Sequence, residues 1–222
     1  MIVALAMALF HASGRPLHPD TVYYYKTWHQ IFKLTPKAVV IDPVVNTYSP
    51  YRCEFLSGDD ELNKAFIDDY LAVSLDLSTW YINCEYIKRN FSGDTQDLNG
   101  YIPLYYNDKI AYVLNGYISY WSTSAYDVAF NGNEDDGIPY YDYNIYYLDF
   151  VNRTVKCVNH SYLSELLTDY HDLQMRYEGM KDYKKQYVIE DYFFKYIDRA
   201  TQDIMHPYIL DLVEFNDENH VP

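Results

Sequence analysis

Tyrosine is the residue that most narrows the folds open to this chain, for 28 of its 222 residues carry that side chain. The ring needs burial or an aromatic neighbour, while the hydroxyl needs water or a hydrogen-bond partner. A chain so rich in tyrosine suits strands, interfaces and half-wet surfaces. Apolar residues make up 49% of the sequence, enough for a sizeable core and too many for a disordered chain. The length fits one domain over residues 1–222. A polar stretch at 92–100 (SGDTQDLNG) reads as a linker. It subdivides the chain into a mixed α/β portion, residues 1–91, and a β-meander with C-terminal helices, residues 100–222.

Charge sets the second constraint. Seventeen basic residues against 32 acidic ones leave a net charge of −15. Such a surface repels phosphate backbones and anionic membranes, so neither nucleic acid nor membrane is the expected partner. It draws in a basic protein partner instead, at rates that fall as salt screens the field. The three cysteines, Cys53, Cys84 and Cys157, are odd in number and form no CxxC pair, which predicts free thiols in a reducing, cytoplasmic setting. Residues 1–10 (MIVALAMALF) lack a basic leader and are too short to span a membrane, and they read as a buried first strand.

Periodicity supplies the elements. Asp20 reads as a cap for a helix over 21–33, in which Val22, Tyr25, His29 and Phe32 share a face. The β-branched run 37–45 predicts a strand broken at Pro43. The acidic cap 57–61 precedes Leu62, Phe66, Tyr70 and Val73 at helical spacing, and helix is expected to continue over 78–90. Beyond the linker, strands flank a turn at Asn107-Asp108 and another at Asn152-Arg153, giving two hairpins. From Ser161 the pattern is helical. Met180, Tyr183, Tyr187, Phe194, Ile197 and Ile204 form one stripe, and Ile189, Phe193, Tyr196 and Ala200 a second, which predicts a helix covered on two sides. The fold class expected is α+β, with a central antiparallel sheet.

Catalytic signatures are missing. The sequence holds no GxxxxGK[ST], no GxGxxG, no GxSxG and no HExxH, so no cofactor and no catalytic residues are assigned. Asn131, Asn133 and Asp135 alternate as calcium ligands do, but Asp136 stands where such a loop needs glycine, and the segment 131–137 reads as a solvated acidic loop. Asp42, after the apolar run 38–41, sits where open α/β sheets place ligand contacts, yet Asp-Pro is also an ordinary strand ending. Cys157 stands three residues from His160, and all three thiols read as buried and structural.

Residues 146–167 read YYLDFVNRTVKCVNHSYLSELL. Leu148-Asp149-Phe150, then Val155 and Val158, then Ser161, Tyr162, Glu165 and Leu166 resemble the closing hairpin and helix of SMI1/KNR4-type immunity domains. The resemblance implies a non-enzymatic, acidic-leaning inhibitor of toxins, often ones that attack nucleic acids. The charge balance points the same way. The expectation is therefore a non-catalytic acidic binding protein, an inhibitor or immunity factor, occupying a basic surface of a partner such as a nuclease. Glu134, Asp135 and Asp136 with Tyr140, Tyr141 and Tyr143 are its expected contacts, with charge setting the on-rate and the rings the residence time. Two alternatives stay open. A viral or phage assembly component would form homo-oligomers, and an enzyme of unfamiliar type, a nucleotide or sugar transferase, would be built on the N-terminal portion.

Overall fold

The structure is a computed structural model and describes residues 21–40, 44–49, 51–74, 79–121 and 138–218. The expected first strand at 1–10, Asp42 and the acidic loop 131–137 lie outside these residues.

A mixed sheet organises the chain. Its strands are β1 (Thr21–Tyr25), β2 (Lys37–Val40), β3 (Val44–Ser49), β4 (Arg52–Leu56), β5 (Ala72–Ser74), β6 (Trp80–Asn83), β7 (Ser92–Gly93), β8 (Tyr101–Tyr106), β9 (Ala111–Trp121), β10 (Ile138–Asp149) and β11 (Thr154–Cys157). They run in the order β2-β1-β5-β6-β8-β9-β10-β11-β7, with the β3–β4 hairpin joining at β8 through Cys53 and Tyr101. Every pair is antiparallel except β7 beside β11. With the helices on its two faces this is the α+β architecture expected.

Helices cover both faces because the strands bury both sets of alternating side chains. On the first face, Trp28 and Ile31 of α1 (Trp28–Phe32), Cys84 and Ile87 of α3 (Cys84–Asn90), and Ile209 and Val213 of α7 (Ile209–Glu218) pack with Ile82, Ile102, Leu104, Val113 and Leu148. Trp28 anchors this layer, with Phe150 edge-on at 4.8 Å and Phe91 at 6.5 Å. The second face holds two clusters. One lies under α4 (His160–Leu166), α5 (His171–Glu178) and α6 (Gln186–Gln202). The other packs Phe66 of α2 (Asp60–Asp68) with Phe55 and Tyr101. The acidic cap of α2 forms as expected, Asp59 accepting from the amides of Glu61 at 2.8 Å and Leu62 at 3.2 Å.

Four expectations are corrected. The run 21–33 is strand β1 followed by the short helix α1, which Thr27 caps. Val22 and Tyr25 are both fully buried, but in opposite layers, so their spacing of three reflects a strand covered on both faces and not one face of a helix. The segment 78–90 contains β6 before α3, and Val73 lies in β5, beyond the end of α2. The polar stretch 92–100 is no linker, because β7 pairs with β11, Leu98 is fully buried, and β6 pairs with β8 across it. In α6 the second stripe is the buried one. Ile189, Phe193, Tyr196 and Ala200 are buried together with Val188 and Tyr192, and of the first stripe Phe194 and Ile197 pack half-buried against the same core, while Tyr187 is exposed, Met180 and Tyr183 precede the helix, and Ile204 is 90% exposed beyond it.

Candidate functional site at the root of the long hairpin

The β9–β10 hairpin outgrows the sheet that supports it. Its strands pair from Ala111–Leu148 to Trp121–Ile138, yet β8 pairs with β9 only as far as Val113, and β11 with β10 only from Tyr146 onward. Three of the expected contact residues stand along this arm, and Glu134, Asp135 and Asp136 lie outside the described residues. Tyr140 and Tyr141 stand in β10 opposite Ser119 and Ile118. Tyr143 sits at the root, opposite Gly116.

At that root the chain builds a cluster of rings around a carboxylate. Tyr51, at the entry to β4, lies across Gly116; a Cβ on Gly116 would stand 2.5 Å from that of Tyr51, so only glycine admits the ring there. The rings of Tyr51 and Tyr143 meet at 4.9 Å, tilted by 50°. Tyr143 Oη donates to Glu190 Oε2 at 3.4 Å, and Gln186 Nε2 donates to Glu190 Oε1 at 3.1 Å. Gln186 and Glu190 are one turn apart on α6, so the helix presents both to the same spot. Val188, Ile189, Tyr192 and Phe193 fix the helix by packing into the second-face core. Beside them Tyr105 and Tyr112 stack at 5.2 Å, and Tyr112 meets Phe193 edge-on at 5.5 Å. Tyr51, Tyr105, Tyr112, Tyr143 and Glu190 are all half-buried, each keeping part of its surface in solvent.

The electrostatics run in one direction. Burial pushes the Glu190 carboxyl above its ordinary range and the charge of Asp142 adds to that, while the bonds from Gln186 and Tyr143 partly offset it. Burial likewise raises the Tyr143 phenol, helped by Glu190 and Tyr51. Tyr51 is raised by burial and by Asp142 and Glu190. These phenols therefore stay protonated near neutrality, as hydrogen-bond donors with neutral π-faces. Among the described residues no cation forms an ion pair with Glu190. The arrangement offers a carboxylate and aromatic faces to a positive group, and no activated nucleophile.

Other chemistry finds less support. Among the described residues no group of three His, Cys, Asp or Glu side chains could hold a metal ion. Burial raises all three thiols, Cys84 to about 12, so none is activated. His160 is engaged by Tyr177, Nδ1 to Oη at 3.0 Å, with the ring of Tyr183 edge-on at 4.8 Å. No described helix is long and apolar enough to cross a membrane.

Sequence spacing offered no route to Tyr51, Gly116 or Glu190, which stand far apart in the chain and meet through the sheet order. Gly116 alone carried a local signal, as a glycine inside a strand where another side chain approaches closely. Fold and site together define an acidic α+β protein with tyrosines gathered beside a carboxylate at the root of a hairpin. The chain belongs to the DUF6563 family, a family of unknown function, whose sequence profile matches residues 51–203. The matched span begins at Tyr51 and includes Gly116, Tyr143 and Glu190. No curated protein and no solved structure matches the chain.

Proposed function

We propose that this chain is a non-catalytic acidic binding protein, an inhibitor or immunity factor that occupies a basic surface of a partner protein. The observation that carries this reading is the tyrosine–carboxylate cluster at the hairpin root, where Tyr143 bonds Glu190, Tyr51 packs on Tyr143, and the carboxylate forms no ion pair among the described residues. The net charge of −15 supports it, because a field of that sign accelerates encounter with a basic groove. The resemblance of residues 146–167 to SMI1/KNR4-type immunity domains lends further support, and those residues are occupied by the end of β10, by β11 and by α4. A nuclease or another nucleic-acid-handling protein fits as the partner, since its groove already selects for polyanions. Glu134, Asp135 and Asp136 lie outside the described residues and enter this reading through their charge alone.

Capture from the native cell at low and at high salt, beside light scattering of the pure chain, tests the reading. One basic protein retained at low salt and released at high salt is the expected result. A large homo-oligomer with no bound partner would sink it in favour of an assembly role. Charge-neutralised Glu134, Asp135 and Asp136 should lower the on-rate and flatten its salt dependence.

A further inference from the structure

The geometry points to an arginine receptor: we propose that Tyr51, Tyr143 and Glu190 together bind the guanidinium group of a partner's arginine side chain. The inference rests on the reading above only for the source of the arginine, and the site's chemistry is argued from its own residues.

Glu190 is held ready for such a group. A carboxylate has about four acceptor positions on its two oxygens. Gln186 occupies one on Oε1 and Tyr143 one on Oε2, at 3.1 and 3.4 Å, so both oxygens keep capacity for a further donor. A guanidinium matches that need with paired N–H groups in a fixed fork, and bidentate pairing to a carboxylate is among the stronger charge-assisted arrangements.

The rings supply the second half of the recognition. Tyr51 and Tyr143 are inclined to one another and 4.9 Å apart, and both remain partly open to solvent beside the carboxylate. A planar, weakly hydrated cation gains from stacking on such faces, whereas a compact, strongly hydrated ammonium gains less. Gly116 keeps the ring of Tyr51 in place, since any side chain there would displace it. The chain's own cations near this helix are engaged elsewhere. Lys195 pairs with Asp191 at 2.7 Å, Lys185 with Asp182 at 3.5 Å, and Lys184 lies over the ring of Tyr183.

Titration of the full chain with N-acetyl-arginine amide, followed by calorimetry, tests the receptor. Its citrulline counterpart keeps the shape and removes the charge, and its lysine counterpart keeps the charge and removes the plane. Binding of the arginine probe, with the lysine probe at least threefold and the citrulline probe at least tenfold weaker, is the expected order. Glu190→Gln should weaken the arginine probe at least fivefold while leaving the near-ultraviolet spectrum of the fold unchanged. Tyr143→Phe, which keeps the ring, should cost less than threefold, and Tyr143→Leu should abolish most of the binding. Failure of the arginine probe to bind, equal binding of citrulline or lysine, or an unaffected Glu190→Gln variant would each overturn the proposal. Should the arginine probe bind while no basic partner is ever captured, the receptor stands and the inhibitor reading falls. Should a basic partner bind Glu190→Gln as tightly as the unaltered chain, the receptor falls and the inhibitor reading stands.

Discussion

Asn83 shows how much a single side chain can organise here. It is 2% exposed, and its amide nitrogen donates to the carbonyls of Phe66 at 3.1 Å, Ile67 at 2.9 Å and Tyr70 at 3.0 Å. Its oxygen accepts from the Glu85 amide at 2.9 Å, which caps α3. One residue thus satisfies carbonyls left over at the end of α2 and an amide left over at the start of α3. Asn83→Ala should lower the stability by about 2 kcal/mol, from a lost cap and the Tyr70 carbonyl left without its donor, since Tyr101 Oη still donates to Phe66 O and Arg89 Nη2 to Ile67 O. Urea denaturation measures it, and a loss under about 1 kcal/mol would show that solvent replaces these bonds. Glu190 carries a pH signature. Its carboxyl is raised in the folded state, so folding favours the protonated form. Its contribution to stability is therefore present below the unfolded carboxyl pKa and is lost as the pH rises through the raised folded value. Stability, followed by urea denaturation across this window, should fall more steeply with rising pH for the unaltered chain than for Glu190→Gln, by less than about 1 kcal/mol because the group is half-exposed. Coincident profiles would refute the assignment. At this scale the sequence was only partly legible. The cap at Asp59 was visible as an acidic cluster before an apolar stripe, whereas the bonds from Asn83 to the end of α2 gave no sign, because those partners are backbone atoms of another element.

Elements were legible where their signals were local. The turn between β8 and β9 is held by Asn107, whose side-chain oxygen accepts from the amides of Lys109 at 2.9 Å and Ile110 at 2.8 Å, and the pattern of strand, Asn-Asp and strand is plain in the sequence. The turn between β10 and β11 was equally plain, with Arg153 in the left-handed region at φ 53°. Legibility failed for β1, where burial on both faces erased the alternation that marks a strand. It failed again at β7, where a polar composition concealed a pairing partner 62 residues away, as Thr154 opposite Ser92 shows. Gly93 makes that pairing possible. Its φ is 98°, and a Cβ there would collide with the carbonyl of Val155. Gly93→Ala should therefore cost more than about 2 kcal/mol from backbone strain and overlap together. Hydrogen exchange would show the loss locally, as faster exchange of the Asp94 amide that now bonds Val155 O at 2.8 Å. Unchanged protection there would mean the strand pair survives. Gly116→Ala acts at the hairpin root, costing about 1–3 kcal/mol by overpacking against Tyr51. The double variant with Tyr51→Ala should recover most of that loss, since the two changes share one contact. Additive losses would place the strain elsewhere.

Across the whole molecule, the thiols report cooperative opening. Cys53 and Cys84 are 1% and 0% exposed and their acidity is suppressed by burial, while Cys157 is only half-buried. A thiol-reactive reagent should label Cys157 first and reach Cys53 and Cys84 at the rate of global unfolding. Labelling of all three at one fast rate would indicate loose packing in both layers, around Phe55 and Tyr101 for Cys53 and around Ile82 and Ile87 for Cys84. The order of synthesis meets a constraint as well. Helix α1 packs on α7, and Trp28 and Ile31 share a core with Ile209 and Val213, from nearly opposite ends of the described chain. A nascent chain therefore carries the apolar face of α1 covered only in part, by Phe91 and Phe150, until α7 has been made. Until α7 arrives, this aromatic face can find other apolar surface, which makes the growing chain a natural client for a chaperone that shields such patches.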